Sequence, residues 1–240
     1  MVDKLQKISN LGGWSNDNFV SYLRNNGVKV GSNVIFRYPK HTTIDLNRPS
    51  LIEIGSNVDI NDNFTIMTHD FGTYVFRNLY HDFVASSGKV KIGNNIYFGR
   101  NVTILKGVTI GDNCIIGLGS VVTKDIPNNS VAAGCPCKVI CSIEDYYRRR
   151  REEQVQEAIE YGVSILENYH RQPLITDFTE EWVLFLTKKD MEIYPEIIPI
   201  IEFRIGKIKD DFFRQQYLRF DGWNDFLNVI NEEFNKRKRL

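Results

Sequence analysis

Four histidines and four cysteines set the range of chemistry open to this chain of 240 residues. Two of the histidines stand directly before aspartates, as His69-Asp70 and His81-Asp82, and His41 and His170 stand apart from them. An imidazole titrates near neutral pH, so such a residue can take a proton from a hydroxyl and later return it. A lone histidine also serves often as a plain structural group, and position alone does not separate the two roles. The cysteines, Cys114, Cys135, Cys137 and Cys141, crowd into one stretch. Cys135-x-Cys137 followed by Cys141 has the look of a soft-metal site. No nucleophile elbow or paired Cys/His signature accompanies these residues.

Positioning such groups requires a rigid frame, and the frame is written as a repeat. Every sixth residue from Ile92 is large and apolar: Ile92, Phe98, Ile104, Ile110, Ile116 and Val122. Ile54, Ile60 and Ile66 form an earlier block of the same kind. A period of six is neither the 3.6 of a helix nor the 2 of a simple strand. It suits one short strand and one turn per unit, three units closing a triangular coil. Successive coils then stack at the ordinary strand spacing. Gly55-Ser56-Asn57, Gly93-Asn94-Asn95 and Gly111-Asp112-Asn113 supply the turns, because Gly and Asn tolerate positive φ. Spacing does not fix the hand of the coil, and parallel crossovers are normally right-handed.

The phase breaks between Ile66 and Ile92 by a length that is no multiple of six. A loop, residues 70–89, therefore leaves the coil there. It carries Phe71, Tyr74, Phe76, Tyr80 and Phe83 together with Arg77, His81 and Asp82. Such an excursion from a rigid scaffold can bind an acceptor or pack a subunit interface.

The run from Ile92-Gly93-Asn94-Asn95 through Gly117-Leu118-Gly119-Ser120-Val121-Val122-Thr123-Lys124-Asp125-Ile126-Pro127 resembles the hexapeptide-repeat acyltransferases. Ala133-Gly134-Cys135-Pro136-Cys137-Lys138-Val139-Ile140 looks like that family's closing signature. The resemblance is strongest to sugar O-acetyltransferases of the maltose, galactoside and capsule-cluster types. It implies a mainly β fold, a left-handed parallel β-helix, and a homotrimer with each active site between neighbouring subunits. It implies transfer from acetyl-CoA directly to a hydroxyl, with His69 as catalytic base and Asp70 orienting an imidazole or contacting the sugar. By motif position, Gly99, Arg100, Gly117, Leu118, Thr123, Lys124 and Lys138 would meet the cofactor. Most members carry Asn and Ala where this chain has Cys135 and Cys137, so small residues replace small ones and no metal is expected.

Three segments follow: an N-terminal helical cap over 1–27, the β-helix over 28–141, and a helical extension over 142–240. Ser15 caps a helix that Gly27 ends, and Ser142 with Asp145 resembles a capping box opening a long helix to about His170. Further helices are expected around Thr179–Leu186, Asp210–Tyr217 and Gly222–Lys236, with Pro195 and Pro199 interrupting the middle. The extension resembles those of some polysaccharide-cluster acetyltransferases, and trimer packing or acceptor binding is its expected role.

Thirty basic residues balance thirty acidic ones, so no bulk field attracts nucleic acid or an anionic membrane. No apolar run is long enough to span a bilayer, and the first ten residues lack the apolar stretch of a signal peptide. A cytoplasmic enzyme with reduced thiols is expected. The resemblance to the capsule-cluster enzymes implies a surface polysaccharide or its precursor as the target. The alternatives are N-acetylation of an amino sugar, possibly nucleotide-linked, and a non-catalytic β-helix scaffold. A zinc hydrolyase on the same fold needs three histidine ligands, and residues 90–140 contain none.

Overall fold

A computed structural model of the chain describes residues 15–205 and 218–239. It divides into two compact units, Met1–Tyr146 and Tyr147–Leu240.

The first unit opens with α1 (Asn16–Asn25), capped by Ser15, whose Oγ accepts from Asn18 N at 3.3 Å. Phe19, Val20 and Leu23 form its buried face. Gly27, at φ 94°, turns the chain into the coils.

Thirteen short strands then wind around three faces. One face holds β1 (Lys29–Val30), β4 (Ile52–Ile54), β7 (Val90–Ile92) and β10 (Thr109–Ile110). The second holds β2 (Val34–Phe36), β5 (Val58–Ile60), β8 (Ile96–Phe98), β11 (Cys114–Ile116) and β13 (Ser130–Ala133). The third holds β3 (Thr43–Ile44), β6 (Thr65–Ile66), β9 (Thr103–Ile104) and β12 (Val121–Val122). Every pairing among these is parallel, each strand lying on its equivalent one coil away. The exception closes the stack: β14 (Lys138–Ser142) runs antiparallel to β13.

All nine phase-marking aliphatic and aromatic residues, from Ile54 to Val122, are buried along the prism axis. Between them sit Val58, Phe64, Ile96, Val102, Val108 and Cys114, buried as well. Fully burying one such side chain contributes about 1.5–3 kcal/mol before entropy is counted.

The turns explain the asparagines. Asn33, Asn57, Asn63, Asn95, Asn101, Asn113 and Asn129 all adopt φ between 52° and 59°. Asn is among the few L-residues that visit this left-handed region readily. Their amides also bond coil to coil, Asn95 Nδ2 donating to Asn113 Oδ1 at 2.9 Å and Asn113 Nδ2 to Asn129 Oδ1 at 2.8 Å. Gly55 is required by close approach: a Cβ there would stand 2.3 Å from the Gly93 carbonyl oxygen.

The repeat is not uniform. Offsets between laddered turn residues are 24 in the first step, 38 across the excursion, 18 in the regular part and 16 at the end. Two short 3-10 helices, Pro39–His41 and Pro49–Leu51, take up the surplus of the first coil. The excursion itself folds partly as α2 (Thr73–Tyr80), ended by His81 in the left-handed conformation at φ 54°.

α3 (Ile143–Tyr169) begins where Asp145 N donates to Ser142 Oγ at 3.0 Å. The return contact of the cap runs from the Ser142 hydroxyl to the Asp145 carboxylate at 2.6 Å. The helical unit also contains α4 (Lys188–Ile193), α5 (Ile198–Ile205) and α6 (Trp223–Arg237). Its core is aromatic: Phe178 packs its ring against Phe185, Trp223 and Phe226 at centroid distances of 5.9, 5.5 and 5.0 Å.

The helix expected around Thr179–Leu186 is a single 3-10 turn, Glu181–Leu184. Pro195 does interrupt the middle: α4 ends at Ile193 and Pro195 opens a separate 3-10 turn. Pro199 does not, lying in the first turn of α5, where a missing N–H costs nothing. The helix expected around Asp210–Tyr217 lies outside the described residues.

Candidate active site

His69 stands where the chain leaves the third face after β6. Its Nδ1 is bonded to Asp45 Oδ2. Asp45 follows β3 in the coil beneath, and the register of Ile44 on Ile66 brings it under the Thr68-His69 step. The same carboxylate oxygen accepts from Thr68 N at 3.0 Å and Thr68 Oγ1 at 2.6 Å, and Oδ1 accepts from Asn47 N at 3.2 Å. Asp45 and Thr68 are both buried. Burial alone would raise the Asp45 carboxyl, but the donors from Thr68, His69 and Asn47 outweigh it and hold it below the ordinary carboxylate value.

An ionised carboxylate only accepts hydrogen bonds, so Nδ1 carries the proton in the neutral ring. Nε2 is then the lone-pair nitrogen, and among the described residues nothing bonds to it. His69 lines a cleft of about 450 Å³. Phe71 and Phe83 from the excursion contribute apolar walls, and Asn47 and Arg48 line it from the step after Asp45.

Asp70 does not touch the ring. It pairs with Lys106 Nζ at 2.8 Å and accepts from Ser86 Oγ at 2.9 Å and Gly72 N at 3.0 Å. Lys106 holds its carboxyl far below the usual range. Lys106 Nζ also bonds to Ser86 Oγ. The orienting carboxylate is thus Asp45, and Asp70 ties the start of the excursion to its end. Gly88 N donates to Thr68 O at 2.9 Å, and His69 bridges Ser87, so the two ends lie side by side.

Asp45 was the residue sequence reading missed. The signal was a polar residue following an aliphatic strand end, one coil below the histidine. The six-residue phase begins at Ile54, above the irregular first coil, so it does not align Ile44 with Ile66.

The residues expected at the cofactor fall on two corners and the closing strand. Thr123 and Lys124 follow β12 on the corner that carries His69, two coils further on, and both are exposed. Gly99, Arg100, Gly117 and Leu118 lie on the corner after the second face. A Cβ at Gly99 would stand 2.6 Å from Leu118 N, and one at Gly117 would stand 2.7 Å from Ala133 Cβ, so coil packing itself demands both glycines. Leu118 is 68% exposed, an apolar side chain standing free of the core. Arg100 pairs with Asp62 at 2.6 Å, and His41 Nδ1 meets the other oxygen of that carboxylate at 2.7 Å. Lys138 is exposed at the start of β14. His81 ends α2, while Asp82 accepts from Phe83 N at 2.7 Å. Cys114 and Cys137 are buried, and burial pushes both thiols up.

Residues 89–124 match the bacterial transferase hexapeptide family, defined by six repeats. Protein CapG of Staphylococcus aureus is 38% identical over 158 residues, which cover 66% of this chain and 88% of CapG. The chain belongs to the hexapeptide-repeat acyltransferases. Its fold is therefore the left-handed form of the parallel β-helix, and it stands with the sugar O-acetyltransferases of that family. The galactoside O-acetyltransferase of Escherichia coli (strain K12) is 49% identical over 94 residues, 39% of this chain and 45% of that protein. This acyltransferase thus spans about half the length of that relative. Among solved structures, a maltose O-acetyltransferase from Clostridium difficile 630 aligns with a TM-score of 0.39 and 31% identity, covering 57% of this chain and 81% of that one.

Proposed function

We propose that this enzyme transfers an acetyl group from acetyl-CoA to a hydroxyl of a sugar in a surface polysaccharide or its precursor, with His69 as general base. The observation that carries the reading is the Asp45–His69 pair at the cleft, with Nε2 unbonded. The acceptor hydroxyl donates its proton to Nε2 as its oxygen attacks the thioester carbonyl. The tetrahedral intermediate collapses, the C–S bond breaks, and the imidazolium protonates the departing CoA thiolate. The products are an acetyl ester and free CoA, with no covalent enzyme intermediate. Asp45 keeps the ring in the Nδ1–H tautomer and stabilises the imidazolium, as a buried carboxylate behind a catalytic histidine does elsewhere.

Acetyl-CoA would run along the coils past Gly99, Arg100, Gly117 and Leu118 and then Thr123, Lys124 and Lys138. The glycines let an extended arm approach the backbone, and the lysines offer point charges to its phosphates. The active unit in this reading is a homotrimer, working in the cytoplasm where acetyl-CoA is available. Exposed Leu118, Val139 and Ile140 supply apolar surface for subunit contact.

The test is His69→Ala. Turnover falls by about 10²–10⁴-fold, while acetyl-CoA binding by titration calorimetry keeps its affinity. Near-wild-type turnover in this variant would remove His69 as the base.

A further inference from the structure

We infer that Arg48 recognises an anionic group, a carboxylate or phosphate, carried by the acceptor sugar itself. The inference rests on the acetyltransferase reading and narrows its substrate class.

Arg48 lies in the short segment between β3 and β4 and lines the same cleft as His69. It is half-buried. Among the described residues, no carboxylate pairs with it and nothing accepts from its guanidinium. Only its backbone is engaged, its carbonyl accepting from Leu51 N at 3.0 Å. Two arginines of the coil, by contrast, are paired: Arg37 with Asp59 at 2.6 Å and Arg100 with Asp62 at 2.6 Å. Of the other ionisable groups at the cleft, Asp70 is taken by Lys106, and His69 by Asp45. Arg48 is thus the one unbalanced charge of the described lining.

A partly desolvated guanidinium without a partner is costly, and its planar fork fits two oxygens of a carboxylate or phosphate. Three further residues complete the picture. Phe71 and Phe83 offer apolar faces to a sugar ring, and Asn47, next to Arg48 in the chain, lines the same cleft. The hydroxyl at His69 and the anion at Arg48 would then belong to one ligand, bound at two points.

Matched acceptors test this in a thiol-release assay on the full chain. Methyl glucuronide is compared with methyl glucoside, methyl galacturonide with methyl galactoside, and glucose 1-phosphate with glucose. The wild type should favour the anionic member of a pair in kcat/KM. In Arg48→Gln the loss on that member should exceed the loss on its neutral partner by about 10- to 100-fold, the range of a hydrogen-bonded charge pair. Arg48→Lys should recover part of it. Preference for the uronates marks a carboxylate acceptor, and preference for the phosphate marks a phosphorylated one. Equal losses on neutral and anionic sugars would overturn the inference and leave the acetyltransferase reading in place. So would a loss confined to acetyl-CoA affinity, which would assign Arg48 to the coenzyme phosphates. A fall in oligomer mass by light scattering would overturn it too, assigning Arg48 to subunit contact. No thiol release from the wild type with any sugar would sink the reading beneath it.

Discussion

The two units of this molecule are stabilised by opposite strategies. The coil repeats one small solution: an aliphatic inside, a glycine or asparagine at the corner, an amide bonded to its copy above. The helical unit has no repeat and gathers unlike aromatic residues around Phe178. Errors therefore spread differently. In the coil, a substitution meets fixed backbone on the next coil. In the helical unit, it meets side chains that can shift. Asp190 shows the second style, one buried carboxylate bonded to Thr187 N and Oγ1 at 2.8 and 2.6 Å and to Trp223 N at 3.2 Å. A single side chain there joins the starts of two helices, where the coil would use a row.

The strongest way to separate the units is to hollow each core. Phe98→Ala in the coil and Phe226→Ala in the helical unit should each cost about 3–5 kcal/mol. Trp182 and Trp223 are both buried in the helical core. In a Trp14→Phe background, where these are the two remaining tryptophans, fluorescence should therefore register Phe226→Ala, while the β-sheet circular dichroism signal registers Phe98→Ala. One transition seen identically by both probes in both variants would show that the units unfold as one.

A glycine pair sharpens the contrast. Gly55→Ala places a methyl 2.3 Å from the Gly93 carbonyl oxygen, whereas Gly162→Ala places one 2.4 Å from Ile230 Cδ1. The closest approaches are nearly equal, but the first is to backbone and the second to the Ile230 side chain, whose Cγ1 also stands at 2.8 Å and which must shift within the core. Alanine also gains about 1 kcal/mol over glycine inside a helix. Gly55→Ala should cost about 1–3 kcal/mol, the range for overpacking, and Gly162→Ala distinctly less by urea denaturation. Equal costs would refute the distinction between rigid and yielding neighbours.

The smallest effect is in pH. Asp45 titrates below its unfolded value, so its contribution to coil stability is present above the ordinary carboxylate range. It is lost as pH falls through the depressed folded value. In Asp45→Asn the acid dependence of the circular dichroism transition should flatten, and that of the fluorescence transition should not. An unchanged acid slope in both would show that the pair stores no stability.

The same contrast governs what the sequence disclosed. Ile92 through Val122 announced the coil because each position repeats one physical demand. α3 was readable from its cap and its apolar spacing. α5 was hidden because Pro199 reads as a break, although the first turn of a helix accepts proline. In the site, His69 was visible through the Thr68-His69 step. Asp45 was invisible because the first coil carries extra residues, which shift it out of phase with the histidine it supports. Arg48 belongs to the same irregular stretch and was overlooked for the same reason.

The clamp at the foot of the excursion has an evolutionary consequence. Thr68 and Gly88 are bonded to each other, and Asp70, Ser86 and Lys106 lock the neighbouring positions. β6 and β7 therefore keep their registers whatever the chain does between those points. Residues 71–85 therefore have room to lengthen, shorten or change composition while His69 and Asp45 stay put. Under the proposed function, a lineage could rewrite that loop and leave the groups of the chemical step where they are.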